Sequence, residues 1–286
     1  MIDLLGAGYG DNAKFEAAVK RCIPGEFVLI ASQDDHTQAQ EDYFAVDHFD
    51  LGKHVPRYVK KANAGSVATC ALLQLMYENP KRFVYSPLNN NPISVLTLSR
   101  ELKQRVKDAT KLVARPTISS SRPLGPPRLD KGEHAPFYIV PPNKDGVRRA
   151  LLIGVITGQG PDLKGPPNDI TMMQQFLENH CGFKKENIIV LQDYWHGHGA
   201  TKPTKKNILL GFQTLVQKSK PGDINFIQFT GHGGRMGNQL YICPSDYAKA
   251  GQVSDEMIMK DLIKAMPGDV YTTMLVDCCY SGTVAE

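Results

Sequence analysis

No apolar run in this 286-residue sequence approaches the roughly 20 residues that a membrane-spanning helix needs, so no membrane partner is expected. The opening Met1-Ile2-Asp3-Leu4-Leu5-Gly6 lacks the basic and apolar regions of a signal peptide. No Gly follows Met1 for acylation, and no prenylation box closes the sequence. Cysteine is sparse: Cys22, Cys70, Cys181, Cys243, Cys278 and Cys279 show no C-x-x-C spacing. That argues against a disulfide framework and for reduced thiols in a cytoplasmic compartment. Charge of one sign is also in short supply, with a net of +4. Much of the excess lies in one helix-like stretch, Arg100 to Lys111, without interleaved aromatic residues. It reads as a solvated helix face, and nucleic acid is not an expected partner. His196 and His198 lack further spaced ligands and read as a loop rather than a zinc site.

What is present is an alternation of strand and helix patterns. Between Arg149 and Thr157 an apolar run reads as a buried strand. A helix capped by Asn168 places Ile170, Met173, Phe176 and Leu177 on one face. A second strand follows at Asn187 to Leu191, then a helix capped by Thr204 with Ile208, Leu209, Phe212, Leu215 and Val216 at 3–4 spacing. Ile224 to Phe229 reads as a strand, Asp255 to Met266 as a helix, and Val270 to Val276 as a final strand. Such repetition predicts an α/β fold with a mostly parallel central sheet flanked by helices. Upstream, Glu26 to Ala31 reads as a strand, Ser66 to Glu78 and Val95 to Lys107 as helices, and Leu112 to Ser119 as an extended piece. Two strands and two helices make a poor independent core, so this part is expected to extend the same sheet. A Pro-, Gly- and Ser-rich segment separates the parts, giving 1–121, a linker over 122–145, and 146–286.

Two blocks carry chemistry. Phe229-Thr230-Gly231-His232-Gly233-Gly234 ends one apolar strand, and Val276-Asp277-Cys278-Cys279-Tyr280-Ser281-Gly282 ends another. Sites in parallel sheets form at the carboxyl ends of strands. A base and a thiol delivered to one sheet edge are the parts of a cysteine-nucleophile hydrolase. His232 would lower the thiol pKa and return the proton to the leaving amine. The Gly233 and Cys279 backbone N–H groups are candidates for an oxyanion hole.

The spacing of His232 and Cys279, together with these blocks, resembles caspase-like peptidases and specifically the metacaspases. The segments Leu163-Lys164-Gly165 to Asn168-Asp169 and Pro203-Thr204-Lys205-Lys206-Asn207-Ile208 are similar to further motifs of that family's large subunit. Ile30 to Ala39, Ala64 to Leu73 and Pro116 to Ser121 resemble its small subunit. The small part comes first here, as in type III metacaspases.

The resemblance implies a caspase-like sandwich with both parts sharing one sheet. It also implies a monomeric cysteine endopeptidase cleaving after Arg or Lys. Cys279 rather than Cys278 is the implied nucleophile, because it precedes the x-Ser-Gly turn. Tyr280 stands where the family usually has His. Asp169, Thr230 and Asp277 are the implied substrate pocket, since Arg pairs best with carboxylates. Ca²⁺ activation is implied through Asp246, Ser254, Asp255 and Glu256, with Ser254 in place of a usual carboxylate. Ser254 also reads as a helix cap followed by first-turn acids. Arg122, Arg128 and Lys131 in the linker would suit self-cleavage of a zymogen. The competing expectation is a catalytically silent caspase-like scaffold that binds partners.

Overall fold

Strands whose apolar side chains point to both faces end up buried on both, because a parallel sheet is covered by helices above and below. The structure, a computed structural model, describes residues 24–32, 41–42, 44–55, 64–88, 91–111, 116–121, 136–193, 201–237 and 239–279. Its main sheet contains β1 (Glu26–Ala31), β2 (Thr117–Ser120), β3 (Arg148–Gly154), β4 (Ile188–Gln192), β5 (Ile224–Thr230) and a last strand, Tyr271–Asp277. Between the last two lies a hairpin of β6 (Gly233–Met236) and β7 (Gln239–Ile242), so Tyr271–Asp277 is β8. The order is β2-β1-β8-β5-β3-β4. Only β2 runs antiparallel, against β1; the other neighbours are parallel. Both parts of the chain therefore share one sheet, as a caspase-like fold requires.

Register decides what stands at the carboxyl edge. Ala31 is level with Val276, Val276 with Phe229, Asp277 with Thr230, and Thr230 with Gly154. On one face Leu152, Phe226 and Leu275 pack with helices α1 (Val67–Glu78), α2 (Val95–Thr110) and α3 (Pro166–Cys181). On the other, Ile153, Phe229 and Val276 pack with α4 (Lys205–Lys218) and with Ile258 and Leu262. At the opposite edge Asp223 accepts from Arg149, 2.5 Å, and from the Val147 and Lys220 amides, tying the starts of β3 and β5. Among the described residues no helix is long and apolar enough to cross a membrane.

Local rules account for several helix ends. Ser94 and Thr204 cap α2 and α4, accepting from the Thr97 and Asn207 amides. α3 stops at Gly182, whose φ of 66° is left-handed. The basic face of α2 is a solvated surface, where Arg105 forms a paired contact with Glu78 at 3.0 and 2.7 Å.

Three expectations are corrected. Asn168 does not cap α3: the helix starts at Pro166, whose fixed φ and missing N–H suit a first turn. Asn168 Nδ2 instead donates to the Ala64 carbonyl, 2.8 Å. The stretch from Asp255 is α-helical only to Ile258 and continues as a π turn over Met259–Ile263, with Lys264 N bonded to Met259 O. This widening still keeps Leu262, Ile263 and Met266 inward. Finally, the segment read as linker is packed from Pro136 onward. Phe137, Tyr138, Ile139 and Val140 are buried, an apolar run that a solvated linker would not contain.

Phe176, fully buried on α3, meets the rings of Tyr77, Phe83 and His180 at 5.2, 6.5 and 5.1 Å. Phe176→Ala is expected to destabilise the fold by about 3–5 kcal/mol, read from the urea midpoint at unchanged slope.

Candidate active site

β5 and β8 end side by side, and each strand end delivers one of the two chemical blocks. Past Thr230 the Gly231 amide donates to the Asp277 carbonyl, 3.1 Å, so the ladder carries the two chains together beyond the regular strands. His232 follows, its carbonyl accepting from the Cys243 amide, 2.9 Å, as the hairpin β6–β7 folds back. Gly233 then presses against the other block. A Cβ there would stand 2.5 Å from Cys278 Sγ and 2.9 Å from the Cys279 carbonyl oxygen, closer than any side chain is tolerated. The absence of a side chain at 233 is what lets the histidine block and the cysteine block touch.

The imidazole is oriented by a group that sequence reasoning missed. His232 Nε2 lies 2.9 Å from the Pro161 carbonyl oxygen. A carbonyl only accepts, so this bond puts the proton on Nε2 and leaves Nδ1 as the basic nitrogen of the neutral ring. Pro161 sits in the loop after β3, which is itself anchored. Asp193 accepts from the Ile156 amide and the Thr157 hydroxyl, each at 3.2 Å, and Tyr241 donates to Gln159, 2.8 Å. The signal available in the sequence was only a Gly- and Pro-rich loop at a strand's carboxyl end. Nothing in a backbone carbonyl's residue type announces its use.

Asp169, Thr230 and Asp277 lie on the α1–α3 side of the sheet, and all three are buried. Thr230 accepts from Gln228, 3.1 Å. Asp169, in the first turn of α3, accepts from the Ser66 amide, 3.1 Å, and faces Cys70 Sγ at 3.7 Å. Asp277 accepts from the Thr69 amide, 3.2 Å, and from the Thr69 hydroxyl. Burial pushes the Asp277 carboxyl above the usual carboxylate range, and hydrogen bonds from Thr69, Ser32 and Ser66 pull it back.

A family profile described as "Metacaspase, peptidase C14 domain" matches residues 148–286, the stretch that holds both blocks. Residues 148–286 form a metacaspase peptidase domain. Metacaspases are cysteine peptidases, and protein or peptide chains are their substrates. The chain is 28% identical to "Metacaspase III c" of Phaeodactylum tricornutum over 96% of its own length and 77% of that protein's. "Metacaspase-1B" of Aspergillus clavatus is 34% identical over 60% of this chain and 45% of its own length. "Metacaspase-1" of Debaryomyces hansenii is 30% identical over 59% and 41%. The chain thus spans under half the length of the latter two metacaspases.

The thiols differ sharply. Cys278 is buried, and desolvation raises its pKa well above that of a free thiol. Cys243 is buried too and pushed up to about 11, by desolvation first. Cys70 and Cys181 are buried, whereas Cys279 is partly exposed. Three of the four residues expected to hold calcium accept hydrogen bonds from backbone amides. Ser254 caps the following helix through the Met257 amide, 3.3 Å. Asp255 accepts from the Leu240 and Glu256 amides, at 3.3 and 2.8 Å, and Asp246 from the Lys205 amide, 2.8 Å. Among the described residues no three His, Cys, Asp or Glu side chains gather as metal ligands. His196, His198, Tyr280 and the basic linker residues Arg122, Arg128 and Lys131 lie outside the described residues.

Of the five cysteines described, Cys279 is expected to be alkylated first by iodoacetamide at pH 7.5, followed by peptide mass spectrometry. Faster labelling of Cys278 or Cys243 would reverse the assignment of the accessible thiol.

Proposed function

We propose that this metacaspase is an endopeptidase that cleaves after Arg or Lys, with Cys279 as nucleophile and His232 as its acid–base partner. The observation that carries the reading is the His232–Pro161 bond, which leaves Nδ1 basic beside the strand end that presents the accessible thiol. Nδ1 takes the Cys279 proton, and the thiolate attacks the scissile carbonyl carbon. The tetrahedral oxyanion is met by the Gly233 and Cys279 N–H groups, donors of a kind worth about 10²–10³ in rate each. The imidazolium then protonates the departing amine as the C–N bond breaks, leaving a thioester. Water, deprotonated by His232, attacks the thioester; the acid leaves and the thiol is restored.

Specificity follows from charge. Asp169 and Asp277, with Thr230 as a neutral neighbour, offer a guanidinium or ammonium group its counter-charge and disfavour an acidic side chain. No step is routed through calcium. The ion enters this reading as an activator that would have to draw Asp246 and Asp255 from their backbone amides, with Glu256 exposed nearby in sequence. With those competing bonds and the Ser254 replacement, half-activation is expected at roughly 10⁻⁴–10⁻³ M Ca²⁺. A micromolar midpoint would contradict that account.

The competing reading, a silent scaffold, has one observation in its favour. Asp169 and Asp277 are 0% and 2% exposed, so a substrate must open the pocket. Fluorogenic peptides ending in Arg or Asp, assayed with and without millimolar calcium, separate the two. Turnover of the Arg peptide alone, abolished in Cys279→Ala, is expected; a wild-type protein inert toward it would favour the scaffold.

A further inference from the structure

The carboxylate that precedes the two cysteines is held almost entirely by residues from the other end of the chain. Thr69, 208 positions away in sequence, donates to Asp277 Oδ2 from its amide at 3.2 Å and from its hydroxyl as well. Ser32 and Ser66 add smaller contributions that favour the charged form of the same carboxylate. Ser32 arrives because β1 lies parallel against β8, its amide donating to the Val276 carbonyl at 3.0 Å. Ser66 and Thr69 arrive because α1 begins over this point of the sheet. The same turn of α1 serves the second carboxylate, through the Ser66 amide and Cys70 on Asp169. Backbones meet closely here. A Cβ on Gly165, just before α3, would stand 2.7 Å from the Gly65 Cα.

We propose that Thr69 is a positioning residue for the basic-side-chain pocket. Its hydroxyl and amide hold the Asp277 carboxylate where the substrate guanidinium must meet it, so the N-terminal region sets the strength of arginine binding. The inference rests on the pocket assignment above and adds a residue to it from a region with none. Thr69 is itself fully buried, so it acts through Asp277 and does not touch substrate.

The physical consequence is specific. A buried carboxylate is destabilised in its charged form by desolvation, and donors to its oxygens oppose that. The Thr69 hydroxyl heads those opposing bonds. Removing it makes Asp277 easier to protonate, and a protonated pocket loses its attraction for a guanidinium. The titratable groups beside it are Cys278, next in the chain, and Asp169 on α3 and Cys70 on α1, both held at the turn of α1 that carries Thr69. The Cys278 thiol, held well above the ordinary thiol range by burial, stays protonated in the acid range where this effect falls.

Thr69→Val keeps the side-chain volume and deletes the hydroxyl, while Thr69→Ser keeps the hydroxyl. Each is assayed with the full chain on an Arg-ending peptide from pH 5 to 9. Thr69→Val is expected to raise KM about 10-fold with kcat changed less than about threefold. The acid limb of kcat/KM should move to higher pH, and Thr69→Ser should restore both. Ser66→Ala should move KM and the acid limb the same way by less, and it stands in should Thr69→Val fail to fold. An active wild type with KM and acid limb unmoved in these variants overturns the Thr69 assignment alone, as does a fall in kcat at constant KM. A wild type inert toward the Arg peptide overturns the pocket reading and this inference together.

Discussion

The parallel register that places β8 between β1 and β5 is the constraint on which everything else here depends. Side chains alternate along a strand, so sliding β8 by one residue would move Asp277 to the opposite face and bring Cys278 to the pocket side. With the observed register, Asp277 is level with Thr230, and the strands pass together into the two blocks that hold His232 and Cys279. The β1–β8 pairing matters equally, since it brings Ser32 to the same carboxylate. The hydrophobic pattern enforces the register. Phe226 and Leu275 belong to one core and Ile227, Phe229 and Val276 to the other, and a slip would expose neither set to water but would mismatch both.

Burying two carboxylates at the end of such a sheet is costly unless each is hydrogen-bonded. The chain meets this with donors from the N-terminal region: Ser66 and Cys70 on Asp169, and Thr69 on Asp277. On the proposed specificity, the groups that make burial tolerable are also those that keep negative charge available to a basic side chain. It also gives the N-terminal region a role beyond widening the sheet, and it suits a chain in which the small part precedes the large one, because only spatial adjacency to β8 matters.

Much of this was legible in the sequence, for identifiable reasons. The buried strands announce themselves as largely apolar runs, and the Thr204 cap follows from short-range rules. The shared sheet followed from noticing that two strands and two helices could not bury a core alone. What escaped reading depended on partners distant in the chain. Asn168 looked like a cap because its residue type suits one, but Pro166 had already opened the helix and Ala64 took the side chain. Ser254 could be read as cap or ligand, and its Oγ is occupied as a cap. The Phe137–Val140 run was hidden by its proline-rich surroundings, yet it packs in the core.

The sequence by itself determined the alternation of strands and helices, the two strand-end blocks with His232 and Cys279, and the family these belong to. Each is carried by residue type and local spacing, which survive without knowledge of what lies opposite. Tertiary structure alone decided that the Pro161 carbonyl orients the imidazole and that Cys278 and Cys243 are buried while Cys279 is accessible. It also decided that Thr69 holds Asp277. A backbone carbonyl, a degree of burial and a hydrogen bond across 208 positions have no signature in residue type. They exist only once the sheet register has brought separate segments to one edge.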